Sequence, residues 1–302
     1  MSAQYRQLLD STIQHLENLR AQGVRFVTVD AAALAALTRP APTASPAPLA
    51  PRSHSPIARA AAPAPAPPLP RAEPSPAVIP ALIAAANPAK AAAMEALRQR
   101  ALACVKCPNL ASSRRNVVFG VGSVEARLMF VGEAPGADED AQGEPFVGAA
   151  GQKLTGIIQA MGLSRQEVYI ANILKCRPDT PGQRSGNRKP TPEEMATCIP
   201  YLQEQIDLIQ PQVLVALGAV AVEGLLNKTG ITRLRGQWQS YRGIPLMPTF
   251  HPSYLLHREG GGESGAMAEK RKVWEDMMQV MEKLGLPISD KQRRYFLSRT
   301  GD

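Results

Sequence analysis

Carboxylates, glycines and one aromatic crowd the stretch VGEAPGADEDAQGEPFVGAAG, residues 131–151. The apolar run from Leu128 to Val131 stops at Gly132, and glycines recur at Gly136, Gly143, Gly148 and Gly151. Loops of this kind can present backbone N–H groups to an anion. Glu133, Asp138, Glu139, Asp140 and Glu144 would repel a phosphate in direct contact, so a simple phosphate cradle is a poor fit. The stretch calls for a chemistry that uses a tight backbone, ionised carboxylates and an apolar ring, Phe146, at the end of a strand.

The chain has four cysteines, Cys104, Cys107, Cys176 and Cys198. The first two form a Cys-x2-Cys pair, a spacing that lets two thiolates share one metal centre. Cys176 ends the strand-like run VYIANILKC. Cys198 follows TPEE, where Thr191 and Glu194 have capping-box spacing and Pro192 falls in the first turn. Pro200 then predicts a kink or a second helix start. No secretory signal is recognisable at the N-terminus, which argues against disulfides. Four thiolates fit tetrahedral zinc or an iron–sulfur cluster, and spacing does not choose between them. A thioredoxin-like role for the CxxC pair lacks the surrounding strand–turn–helix.

The elements that must position these residues are legible as alternating runs. RLMFVGE, VYIANILK, VLVALG and IPLMPTF read as buried strands. Between them, GQKLTGIIQAMGL ends at Gly162, TPEEMATCIPYLQEQIDLI ends before Pro211, and AVAVEGLLN follows the third strand. Strands alternating with helices predict an α/β protein with a parallel sheet covered on both faces. Ligands in such folds bind beyond the carboxyl ends of the strands. That edge collects Glu133 to Phe146, Asn172 to Arg177, and the HPSY that follows the fourth strand. A last amphipathic helix, with Val273, Trp274, Met277, Met278, Met281 and Leu284 on one face, reads as packing.

Composition divides the chain further. Residues 38–90 hold 15 of the 28 prolines, no glycine, and five basic side chains against one acidic. Such a segment cannot bury a core and predicts a disordered, semi-stiff linker. Residues 1–37 carry an amphipathic stripe of Tyr5, Leu8, Leu9, Ile13, Leu16 and Leu19, closed by Gly23. This helix either packs back on the folded domain or docks a protein partner. The domain is expected over residues 91–287, with a tail over 288–302. Residues 91–302 carry 26 basic against 22 acidic side chains, compatible with a polyanionic partner without demanding one. No apolar run is long enough to span a membrane, and a cytoplasmic monomer is expected, nucleoid-associated in a bacterium.

GEAPGADED, GEPFVGAAG, IANILKCRP, GNRKPTPEE, TRLRGQW and HPSYLL, in that order and with the four cysteines among them, resemble the family 4 uracil-DNA glycosylases over residues 100–285. The resemblance implies a three-layer α/β/α fold with a four-stranded parallel sheet. It also implies a 4Fe–4S cluster on the four cysteines and hydrolytic removal of uracil from single- or double-stranded DNA. Such an enzyme extrudes a nucleotide and holds the bare base while water approaches the sugar carbon. Gly132 and Ala134 would let the strand end approach the base, and Phe146 would stack on it. Asn172 would read uracil against cytosine, whose donor and acceptor are reversed. Glu133, with Glu139 second, would stabilise the sugar cation or position water, and His251 would donate to the departing base.

On the DNA side, amides at Gly148 and Gly151 would hold a phosphate, and Arg233, Arg235 and Arg258 are candidate phosphate contacts. Tyr254, Leu255 and Leu256 would wedge into the duplex. Asp138, Asp140 and Glu144 read as solvated loop charges. The chain departs from the family in the longer RPDTPGQRSGNRKP, in the glycine-rich HREGGGESGAMAEKRK, and in His257 where arginine is usual. Two other readings are open. A catalytically silent iron–sulfur DNA-binding scaffold would not need Glu133, Phe146, Asn172 and His251 together, and a Rossmann enzyme lacks its GxGxxG turn.

Overall fold

A computed structural model describes residues 87–178, 187–259 and 263–297. The expected N-terminal helix, the linker to residue 86, residues 179–186 and 260–262 within the two enlarged loops, and residues 298–302 lie outside the described residues.

The sheet has six strands in the order β1-β3-β2-β4-β6-β5. These are β1 (Val121–Gly122), β2 (Leu128–Gly132), β3 (Tyr169–Asn172), β4 (Val213–Leu217), β5 (Gln239–Tyr241) and β6 (Ile244–Thr249). The four expected strands are the parallel centre, β3-β2-β4-β6. Short antiparallel strands close each edge, so the sheet is six-stranded and mixed. The sequence concealed β1 and β5 because two- and three-residue strands leave no period-2 pattern to read.

Every residue of β2, β3 and β4 is buried, as a sheet covered on both faces requires. Alternate residues serve opposite layers. Met129, Val131, Ala171, Leu214 and Ala216 pack with α1 (Pro88–Leu102), α5 (Pro192–Ile209) and α6 (Ala219–Leu226). Leu128, Phe130, Ile170, Val213 and Val215 pack with α4 (Ala149–Ala160) and α9 (Glu263–Lys283). Short helices fill the connections: α2 (Pro108–Ser113), α3 (Ala137–Gln142), α7 (Ile231–Leu234), α8 (Pro252–Glu259) and α10 (Asp290–Arg293). No described helix is long and apolar enough to cross a membrane.

Two boundaries differ from the sequence reading. The helix before the CxxC pair starts at Pro88, and Met94, Leu97 and Ala101 anchor it in the core. The described part of the tail also packs on the domain. Gln292 donates to the Ala160 carbonyl at 2.8 Å, and the Trp274 indole donates to the Gln292 carbonyl at 2.6 Å. Helix α5 runs through Pro200 without a second start. Its capping box at Thr191 and Glu194 is formed as expected.

The crossovers from β2 and β4 leave on opposite faces, since α4 and α6 belong to different layers. A crevice therefore opens between the carboxyl ends of these neighbouring strands. Beside it, Arg235 is a clamp instead of a phosphate contact. Its guanidinium pairs with the fully buried carboxylate of Asp276, donates to the Lys272 carbonyl at 2.6 Å, and lies 5.7 Å from the Phe250 ring centre. Thr249 Oγ1 donates to the same carboxylate at 2.6 Å, joining β6, α7 and α9. Asp276→Ala should lower the unfolding free energy by about 3–5 kcal/mol, because it strands a buried guanidinium; urea unfolding checks it.

Candidate active site

A cavity of about 320 Å³ occupies the crevice, lined by Glu133, Phe146, Asn172, Gly218, His251 and neighbours. That size falls in the range of roughly 300–1,000 Å³ usual for small-molecule sites. The site rests on a close approach. A Cβ on Gly132 would lie 2.4 Å from Asn172 Oδ1 and 2.5 Å from Phe146 Cζ, so only glycine admits both side chains at the end of β2. A Cβ on Gly151 would lie 1.9 Å from the Phe146 carbonyl oxygen. Gly148 and Gly151 thus serve the packing of this loop.

Phe146 is held at φ 55°, a left-handed conformation that costs a bulky side chain on the order of 1–3 kcal/mol. Two sets of bonds hold it there. Glu139 accepts the amides of Gly136 at 3.0 Å, Val147 at 2.9 Å and Gly148 at 3.0 Å. The Arg165 guanidinium donates to the carbonyls of Pro145 at 2.8 Å and Phe146 at 3.1 Å. Asp140, read from sequence as solvated, is buried and accepts the amides of Arg115 at 2.9 Å and Asn116 at 3.3 Å. Glu139 lines the cavity, yet three amides occupy its oxygens; it organises the loop and is not free to activate water.

Asn172 is 2 % exposed, and its Oδ1 is buried with no hydrogen-bond partner. Leaving an acceptor in that state costs about 1–3 kcal/mol, a cost that a donor on a ligand would remove. His251 lies beyond Phe146, with ring centres 5.6 Å apart. Its Nδ1 accepts the Ser253 amide at 3.2 Å and sits 2.7 Å from Ser253 Oγ. With Nδ1 an acceptor, the proton of the neutral ring belongs on Nε2. Burial pulls the imidazole down to about 4, so the ring is neutral at physiological pH. Glu133 is held above the usual carboxylate range, chiefly by burial; Lys189 opposes that rise and Glu223 adds to it. Lys189 and Glu223 are themselves paired at 2.6 Å.

The DNA-side candidates divide. Arg233 and Arg258 are exposed, and Arg258 stands 5.7 Å from the Tyr254 ring centre. Leu255 is buried with Phe250 and Val273, so it anchors α8 to the core and is not a wedge; Tyr254 and Leu256 stay partly accessible. Sequence reasoning missed Ser253 and Arg165. Ser253 could have been found as the residue two after His251 at a helix start, where a hydroxyl or amide meets the preceding side chain. Arg165 lies 19 residues from Phe146 and carries no local signal.

All four cysteines line one small cavity with Leu110, Arg114, Leu174 and Tyr201. Arg114 donates to Cys176 Sγ at 3.1 Å and the Lys175 amide to Cys198 Sγ at 3.2 Å. Burial raises the thiols of Cys107 and Cys176 and pushes Cys198 up to about 11. Among the described residues, no group of three or more His, Cys, Asp or Glu side chains is set to hold a single metal ion. The sulfurs ring a cavity instead, and N–H groups already point at two of them. Four thiols so placed fit an iron–sulfur group, whose sulfurs accept such bonds.

The Uracil DNA glycosylase superfamily model matches residues 119–278. The Type-4 uracil-DNA glycosylase of Thermotoga maritima is 46% identical over 168 residues, 54% of this chain and 83% of that protein. That of Archaeoglobus fulgidus is 42% identical over 166 residues, covering 52% and 80%. That of Sulfurisphaera tokodaii is 36% identical over 214 residues, covering 68% and 90%.

Gly132→Ala tests the close approach directly. It should displace Phe146 and Asn172 and lower product release by on the order of 100-fold while the fold survives. Single-turnover rates set beside a thermal melt check this.

Proposed function

Because the chain belongs to the uracil DNA glycosylase superfamily, we propose that it hydrolyses the N-glycosidic bond of deoxyuridine in single- or double-stranded DNA, leaving an abasic site. One observation carries the assignment of the pocket: the buried, unpartnered Oδ1 of Asn172 shares a cavity with Phe146 and His251. Oδ1 would accept uracil N3–H while the amide nitrogen donates to O4. Cytosine offers an acceptor at N3 and a donor at C4, leaving both groups of Asn172 unpaired. Phe146 supplies the stacking face, worth about 1–3 kcal/mol for a base.

Bond cleavage leaves positive charge on the sugar and negative charge on the base. His251 Nε2–H is the donor for O2 as uracil departs as an anion, and a neutral imidazole performs this without surrendering its proton. Glu133 is the carboxylate left free for the sugar side, since Glu139 is occupied by amides. It stabilises the cation and orients the water whose oxygen bonds to C1′. The proton released by that water passes to the carboxylate or to solvent.

Cys104, Cys107, Cys176 and Cys198 would hold a 4Fe–4S cluster. The cluster would tie the segment after α1, the turn after β3 and the middle of α5 together with metal–thiolate bonds. All four cysteines line one cavity, which supports a shared metal centre, and the likeness to type-4 uracil-DNA glycosylases favours iron–sulfur over zinc. Purified protein should be brown and contain iron, and Cys176→Ala should remove both the colour and the iron; colourless protein with zinc would overturn the reading.

The pH profile discriminates the roles. With Glu133 above the ordinary carboxylate range, uracil release should fall on the acid side at a higher pH than a free carboxylate gives. Glu133→Gln should abolish that limb. The raised carboxylate also makes the folded state less stable as pH rises through its ionisation, so Glu133→Gln should be at least as stable as the parent at neutral pH. His251→Ala should cost roughly 100- to 1,000-fold in rate. Absence of uracil release by the parent protein with its iron intact would favour the scaffold reading, since a scaffold has no activity for His251→Ala to lower.

A further inference from the structure

Lys175 is 2 % exposed, and no step of the reaction above uses it. Its ammonium donates to the backbone carbonyl of Asn172 at 3.0 Å and to Gln205 Oε1 at 2.6 Å. Both acceptors are uncharged, and removing a lysine from water is expensive, so packing alone does not call for one here. The surroundings fix it in place. Its amide donates to Cys198 Sγ at 3.2 Å, and its carbonyl accepts the Val118 amide at 2.7 Å. Gln205 in turn donates to the Phe119 carbonyl and the Tyr169 hydroxyl, each at 3.0 Å.

The bond to Asn172 has a directional consequence. It closes a three-residue turn from the ammonium of Lys175 back to the carbonyl at the end of β3. Together with the Ile173 amide, which donates to the Gly132 carbonyl at 3.0 Å, it pins both polar groups of the peptide plane after Asn172, and with them the line along which the carboxamide leaves the backbone. Oδ1 has no hydrogen bond of its own to aim it. We propose that Lys175 is a positioning residue, holding Asn172 at the orientation that reads uracil and anchoring that orientation to the cysteine centre through Cys198. The proposal rests on Asn172 reading the base.

The experiment is a double-mutant cycle on the full chain purified with its iron. Lys175→Met should keep iron content and visible absorption at parent values and lower kcat/KM on a uracil-containing oligonucleotide by on the order of 10- to 100-fold. In an Asn172→Ala background the same change should cost less than about twofold, since nothing remains to be aimed. Equal losses in both backgrounds would show a general structural role and overturn the proposal, as would parent-like activity of Lys175→Met. Should Lys175→Met lose iron or fail to fold, Gln205→Leu, which frees one of the two bonds of the ammonium, enters the same cycle under the same criteria. Parent-like activity of Asn172→Ala would instead defeat the base-reading assignment, a result distinct from either outcome for Lys175.

Discussion

The site depends on one steric fact: at Gly132 and Gly151 the backbone has no side chain. Phe146 and Asn172 converge on the first glycine, and the Phe146 carbonyl sits over the second. Everything else in the loop preserves that approach. Phe146 occupies a left-handed conformation, and the bonds to Glu139 and Arg165 supply what the strain costs. Two of the five acids that make the loop look hostile to phosphate, Glu139 and Asp140, are therefore internal fasteners. Glu139 and Asp140 face amides, and Glu133 is left for the reaction.

Electrostatics follow from the same enclosure. Burial lowers His251 and raises Glu133, and each shift suits its role. A neutral imidazole bonded at Nδ1 presents a fixed N–H donor. A half-buried carboxylate attracts positive charge more strongly than one in water, because less solvent screens it. The unpartnered carboxamide oxygen is a cost in the free protein that a ligand with a matching donor would remove.

The cysteine centre and the base pocket occupy opposite sides of the turn after β3. Cys176 lies four residues beyond Asn172, with Lys175 between them reaching both ways. The proposed metal group would constrain the same turn.

The sequence by itself determined the four parallel strands, their helices, the capping box of α5, and the set of side chains at the carboxyl edge. It could do so because apolar runs, caps and strand ends are local patterns, written in consecutive residues. The motifs also placed Phe146, Asn172 and His251 near one another by the rule for such sheets. Tertiary structure alone decided which acid is free of amides, that Asp140 and Leu255 are interior, that Arg235 clamps Asp276, and that Arg165 and Lys175 donate to the carbonyls of Phe146 and Asn172. Those assignments depend on contacts between residues distant in the chain. A glutamate facing three amides and a glutamate facing a pocket look the same until the fold brings their partners to them.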